Sequence, residues 1–345
     1  MEKKTKRILQ GSFFTLLFTG VVLSSIIGYL LFSPQFFPTS TAYVYVDSDD
    51  TADSIFNKIK SAGKANNLTG YQWLSYYRDF PQYIHTGRYA IHHHDNVYHV
   101  FHRLYRGHQT PMNLTIGSVR TLDKLCKHVG RQLMIDSAEI AQKMKDTTFI
   151  QQLGYQSETL PCLFIPNTYE VYWNLSVDAL FQRMQKEHNL FWNQQRINQA
   201  KALGLTPAQV CTLASIVEEE TNNAAEKPMV AGLYLNRLKC GMPLQADPTI
   251  KFALQDFSLR RITRHHLQTA SPYNTYLNPG LPPGPIRIPS TSGIDAVLNP
   301  VHHNYLYMCA KEDFSGTHYF AATLSAHMNN ARKYWNALNK RKIFK

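Results

Sequence analysis

Charge is scarce in this sequence and unevenly placed. Only 17% of its 345 residues are Asp, Glu, Lys or Arg, and no Lys or Arg occurs between Arg7 and Lys58. Cysteine is also sparse: Cys126, Cys162, Cys211, Cys240 and Cys309 lie far apart without a C-x-x-C pair. That spacing excludes a zinc ribbon, a dithiol redox motif and a disulfide-stapled miniprotein. No H-E-x-x-H is present, no internal repeat is evident, and no tract is dominated by Gly, Ser or Gln. With 44% hydrophobic residues, the chain is neither disordered nor collagen-like. A single long apolar run argues against a multi-span membrane protein, and the length suits about two folded domains.

That run is Ile8 to Phe32, 25 residues without a charge, where about 20 suffice to cross a bilayer. Lys3, Lys4, Lys6 and Arg7 form a basic flank over residues 1–7. The positive-inside rule therefore predicts a single-pass anchor in the cytoplasmic (inner) membrane, N-terminus inside and body outside. Cleavage at Ser40-Thr41-Ala42 would be the competing outcome, but a signal-peptide core is usually only ~7–15 residues long. Lys plus Arg number 36 against 24 acidic residues, so the partner should be anionic. An outside location excludes nucleic acid and leaves lipid or an acidic polymer. The C-terminal Arg332, Lys333, Lys340, Arg341, Lys342 and Lys345 read as a solvated helix face and tail.

Residues 33–41, with Pro34 and Pro38, are expected to form a short stiff linker. A small module over 42–110 follows, with strands at 42–46 and 87–91 and helices after Thr51, from Thr69 to Phe80 and from Val97 to Leu104. The alternation is similar to a LysM-like glycan-binding module. Residues 111–158 read as a connecting region of two helices, and 159–345 as an α+β domain with a helical stretch over 177–201. The histidines at 92, 93, 94, 99 and 102 invite a metal reading, but their spacing matches no recognised site, so a solvated turn is expected, with no metal or other cofactor.

Thr206-Pro207 is a helix start, a hydroxyl cap followed by proline. Val210, Leu213, Ala214 and Val217 then mark a buried stripe, and Glu218, Glu219 and Glu220 close the helix. Helical spacing predicts that Glu218 lies at the edge of the apolar face and that Glu219 points outward. A carboxyl partly withdrawn from water suits a general acid; three glutamates at a helix end equally suit a solvated face. Asn236 falls in the last turn of a second helix, Ala225 to Leu238. Beyond it, 244–249, 271–276 and 280–286 are dense in amides, hydroxyls, aromatic rings and proline, the composition of a rigid sugar-binding surface.

LASIVEEET (213–221), VAGLYLNRL (230–238), GMPLQADPT (241–249), SPYNTY and GLPPGPI occur in that order. Together they resemble the endolytic murein transglycosylase, or YceG-like, family. The resemblance implies a membrane anchor, a LysM-like module and a catalytic domain that cleaves the MurNAc–GlcNAc bond of peptidoglycan to leave 1,6-anhydro ends. It implies a catalytic glutamate, matched to Glu218, with Glu220 at a second acidic position. Gln245, Asp247, Tyr273, Asn274 and Tyr276, joined by Asn236, are expected to line the glycan cleft, and cell-wall synthases are the expected protein partners. Where the family reads close to EGFLFPDTY, this chain has PCLFIPNTY at 161–169. A water-using muramidase and a noncatalytic peptidoglycan-binding scaffold stand as alternatives.

Overall fold

The computed structural model describes residues 2–259 and 261–341, with side chains described from Gly11 onward. It divides into two compact units, residues 1–113 with 170–175, and 114–169 with 176–345. The expected α+β class holds. Lys342 and Lys345 lie outside the described residues.

The first unit opens with α1 (Glu2–Phe32), of which Gly11–Phe32 is long and apolar enough to cross a membrane. Next come β1 (Ala42–Val46), α2 (Ala52–Ala62), α3 (Thr69–Tyr77), β2 (Gly87–Ile91) and α4 (Val97–Tyr105). The two strands pair antiparallel, with Val44 opposite Tyr89 and Val46 opposite Gly87. Alternation explains this choice of structure: Val44 and Val46 are buried while Tyr43 and Tyr45 face outward. Thr51 and Ser54 close a reciprocal capping box that starts α2.

The stiff linker expected over 33–41 is seated in this unit. The backbone N–H groups of Gln35 and Phe36 both donate to the Asp95 carbonyl, and His94 N–H donates to that of Phe36. The Phe36 ring is fully buried. A methyl at Gly63 would fall 2.5 Å from that ring, so glycine there makes room for it. The end of α1 is tied in as well: Leu31 is buried among Tyr71, Leu74 and Phe101. Two prolines stiffen the segment, and backbone bonds to Asp95, His94, Gly63 and Asn66, with one buried aromatic, remove its remaining freedom.

His92, His93 and His94 are exposed on the turn before α4, a turn closed by Asp95, whose carboxylate accepts from His92 N–H at 2.7 Å. Among the described residues, no three His, Cys, Asp or Glu side chains converge as a metal site would need.

In the second unit, β3 (Met112–Ile116) pairs with β4 (Asn167–Val171) in a two-stranded sheet, and the division between the units runs through both. Between them lie α5 (Leu122–Gly130), α6 (Ser137–Lys143), α7 (Thr147–Gln152) and a 3-10 turn at Leu160–Leu163. This stretch holds three helices where the spacing predicted two, each started by its own cap: Thr121, Asp136 and Asp146. The continuous helical period over 177–201 is likewise split, into α8 (Val177–Phe191) and α9 (Gln194–Ala202), because the Asn193 side chain caps a new start.

α10 (Pro207–Glu220) runs through the middle of the core. Every residue from Val210 to Val217 is buried. Around it lie α9, α11 (Lys227–Lys239), α12 (Asp247–Leu254), α13 (Thr291–Leu298) and the 3-10 turn. The expected one-sided stripe is therefore a helix covered on all sides, as helices through the centre of a core are. A hairpin of β5 (Tyr307–Ala310) and β6 (His318–Ala321), then α14 (Leu324–Lys340), complete the unit.

Candidate active site

Because α10 is enclosed, the three glutamates at its end diverge into three separate environments, successive side chains being turned by about 100°.

Glu218 points at the start of α13. Its carboxylate accepts from Ser290 N–H at 2.7 Å and from Ser290 Oγ at 2.8 Å, and Lys227 Nζ stands 3.8 Å away. A methyl on Gly293 would come within 2.8 Å of Glu218 Oε2, so glycine there permits the approach. A backbone donor, a hydroxyl and a cation thus seat this carboxylate at the N-terminus of α13.

Glu219 does not face outward. Arg120 grips it bidentately at 2.7 and 2.8 Å, and Arg287 adds a third bond at 2.7 Å. Its side chain is 11% exposed. Arg287 also donates to Ser118 Oγ at 2.9 Å, and Ser118 Oγ donates to the Ile288 carbonyl at 2.6 Å. The expectation failed because a helix buried all round has no solvent face to assign. The carboxylate fastens residues 118–120 to 287–288.

Glu220 differs from both. Its carboxyl accepts from the Tyr234 hydroxyl at 2.8 Å. Burial raises its pKa to about 7, the Tyr234 bond opposes that rise, and the nearby charge of Asp247 adds to it. Tyr234, on α11, is fully buried, and its own ionisation is suppressed by burial and by Glu220.

Asp247 begins α12. Pro248 takes the first helical turn, which has no use for its missing N–H. Gln245 precedes it with φ +51° and stays exposed. Two buried hydroxyls lock the 274–276 loop onto this start: Thr275 Oγ1 accepts from Ala246 N–H at 3.0 Å and meets Thr249 Oγ1 at 2.9 Å. Tyr276 is thereby delivered to Asp247, hydroxyl to carboxylate, at 2.5 Å.

The expected cleft residues thus separate into two sets. Glu220, Asp247 and Tyr276 gather in one site, completed by Tyr234, with Gln245 on the neighbouring turn. Asn236 and Asn274 serve the backbone instead. Asn236 donates to the carbonyls of His303 (2.8 Å) and Tyr305 (3.1 Å). Asn274, fully buried, donates to those of Leu267 (2.9 Å) and Thr269 (2.8 Å) and accepts from Tyr276 N–H. Tyr273 packs on Phe252, with ring centroids 4.7 Å apart, and lines a separate hollow of about 210 Å³ beside Arg120 and Arg287.

Replacing Asn274 by Ala strands two carbonyls without donors and frees the loop that carries Tyr276. The expected cost is about 2 kcal/mol, read as a fall in melting temperature of the full chain in detergent. An unchanged melting temperature would show that the loop is held elsewhere.

Tyr234 and Arg237 were not singled out as site residues, although their i, i+3 spacing places them on one face of α11. Arg237 is buried and donates to the carbonyls of Leu306 (2.7 Å) and Leu244 (2.6 Å), joining the approach to α12 with that to β5.

Known proteins share this architecture. A curated protein of Bacillus subtilis named endolytic murein transglycosylase is 29% identical over 243 residues, 66% of each chain. One of Streptococcus pneumoniae with the same name is 30% identical over 253 residues, 65% of this chain and 45% of its own. The chain thus spans just under two thirds of the first relative's length and under half of the second's. A crystal structure of a YceG-like protein from Listeria monocytogenes superposes with a TM-score of 0.58 at 24% identity, covering 84% of this chain and 99% of that one, which shows the fold in common. The YceG-like family profile matches residues 44–333, and the chain belongs to that family.

Proposed function

We propose that this protein is a membrane-anchored endolytic lytic transglycosylase that cleaves the MurNAc–GlcNAc bond within peptidoglycan strands. The names of its relatives support the activity, and one observation supports the assignment of the acid: the Glu220 carboxyl faces the Tyr234 hydroxyl, whereas Glu218 is held at the start of α13 with Lys227 beside it and Glu219 is gripped by two arginines. Glu218, expected from the motif to be catalytic, has its carboxylate engaged as the anchor of α13. Glu220 takes the catalytic role in its place.

With a pKa of about 7, Glu220 holds its proton in about half of the molecules at neutral pH, the optimum for a group that must give and then take a proton. Protonated, it donates to the glycosidic oxygen as the bond to the muramic anomeric carbon breaks. As a carboxylate, it accepts the proton of the muramic 6-hydroxyl while that oxygen attacks the same carbon. The proton returns to Glu220 and no water is consumed. Intramolecular attack has effective molarities of ~10⁵–10⁸ M, so no second carboxyl is needed to activate a nucleophile. Asp247, oriented by Tyr276, supplies negative charge that keeps the proton on Glu220 and favours the developing oxocarbenium ion.

The first unit has the strand–helix–helix–strand order of a LysM-like module. A hollow of about 390 Å³ in it, bordered by Phe56, Gln72, Tyr76 and Asp79, is suited to stacking and hydrogen-bonding a sugar. In this reading α1 crosses the cytoplasmic membrane with the N-terminus inside, and the units outside act on nascent strands beside the cell-wall synthases.

The product tests the chemistry. Digestion of purified glycan in heavy-oxygen water should give internal cleavage with 1,6-anhydro-muramic ends, each lighter by one water than a hydrolysis product and free of label. Labelled reducing ends would replace this mechanism by a muramidase using Glu220 and Asp247 together. Bound but uncut glycan would leave a scaffold.

A further inference from the structure

The face of α3 that carries the hollow is not the only one bearing aromatic side chains. Gln72, Ser75 and Tyr76 border the hollow. Trp73 and Tyr77 lie on a different strip of the helix, stacked ring on ring with centroids 5.5 Å apart and planes 6° from parallel. They are 47% and 69% exposed. On the helix surface that strip continues the line of Gly70, three and seven residues earlier.

Gly70 is where α1 arrives. A methyl there would fall 2.6 Å from the carbonyl oxygen of Leu30, so the two backbones touch. Leu30 lies two residues from the end of the apolar span at Phe32. At 1.5 Å per residue, Trp73 stands at most ~4.5 Å and Tyr77 ~10 Å from that contact along the axis of α3, whatever its tilt. The polar layer of one leaflet is ~5–7 Å deep. On the opposite flank, α4 sets Tyr98 against Phe32, with ring centroids 5.2 Å apart, and Asn96 donates to the Phe32 carbonyl at 3.4 Å. His102 lies against Tyr98, centroids 4.2 Å apart.

We infer that Trp73 and Tyr77, with Tyr98 across the exit of α1, form a collar that enters the headgroup layer of the bilayer and holds the first unit down on the lipid surface. Trp and Tyr favour that layer because it accommodates an apolar ring and a polar tip together. The side chains are contributed by the folded module, not by the spanning helix, so the module has a membrane face distinct from the hollow beside Tyr76. The inference rests on α1 being a membrane anchor.

Full-length protein is reconstituted into vesicles of phosphatidylglycerol and phosphatidylcholine, the latter brominated at the upper acyl carbons, and compared with Trp73→Phe. Tryptophan emission attributable to Trp73, taken as the difference between the two proteins, should fall roughly twofold in brominated vesicles relative to unbrominated ones. Trp73 is exposed, so its replacement leaves the core untouched, and equal melting temperatures verify this. If both proteins float with the vesicles but bromine quenches them equally, the collar is overturned while the anchor stands. A chain that fails to float overturns the anchor and the collar with it. Shielding of Trp73 that arises only on adding soluble glycan fragments would assign the ring pair to sugar and overturn the lipid assignment.

Discussion

Glu220→Gln should abolish turnover and, at pH 8, stabilise the protein. The amide keeps the shape and can accept from Tyr234, but it cannot exchange a proton, so the rate of anhydro-end formation should fall by ~10²–10⁴. The stability change follows from the raised pKa, 4.5 moving to about 7. A carboxyl whose folded pKa is raised binds its proton more tightly in the native state. Its contribution is complete below the unfolded value and is lost as pH rises from about 4.5 through about 7. At pH 8 the wild type has lost all of it, on the order of 3 kcal/mol, whereas the glutamine variant never ionises. The pH profile of kcat/KM should correspondingly descend near pH 7, where free enzyme loses the acid form. Retained activity in this variant, with loss in Glu218→Gln, would return the catalytic role to Glu218.

Glu219→Ala should be the most destabilising of the three alanine replacements. It leaves Arg287 largely buried without its carboxylate and releases Arg120. Removing one partner of a buried pair costs ~3–5 kcal/mol. The Arg120 side chain is 42% exposed, so its part of the network is screened by water and the lower end of that range applies. For a unit of this size the melting temperature should drop by roughly 6–12 °C. Glu218→Ala removes an anchor at the start of α13 and should cost only ~1–2 kcal/mol. Differential scanning calorimetry of the three alanine variants supplies the ranking, and a Glu219→Ala protein as stable as wild type would show that the two arginines are independently solvated.

Those two expectations differ from a reading of the linear sequence for a physical reason. The strand at 42–46 is legible because alternation of Val and Tyr reports one buried face. The start of α10 is legible because Thr206, Pro207 and Gln209 act locally on its first turn. Which glutamate does what is not local: it depends on Tyr234, Ser290, Arg120 and Arg287, brought from 14 to 99 residues away. An enclosed helix offers no polar face by which spacing could sort its side chains. Asn236 and Asn274 were expected in the cleft because they fall in the motifs that carry the family resemblance, yet a buried amide is also spent on backbone carbonyls that would otherwise lack a donor. The helical period over 177–201 hid the break at Asn193, because a cap can restart a helix without interrupting the apolar spacing.

Seating residues 33–41 in the first unit has a dynamical consequence. A flexible tether of nine residues would let a domain wander roughly 15–18 Å from its root. With Phe36 buried and the backbone bonded to Asp95 and Gly63, the unit and the helix that carries it reorient as one body. With α1 spanning a bilayer as proposed, the freedom left to that body is spinning about the helix axis and nodding with helix tilt. The hollow beside Tyr76 would then sweep a ring whose height above the membrane changes only as the helix tilts, a surveyor's circle carried sideways by diffusion, so that it meets sugars in one layer and not those far above it.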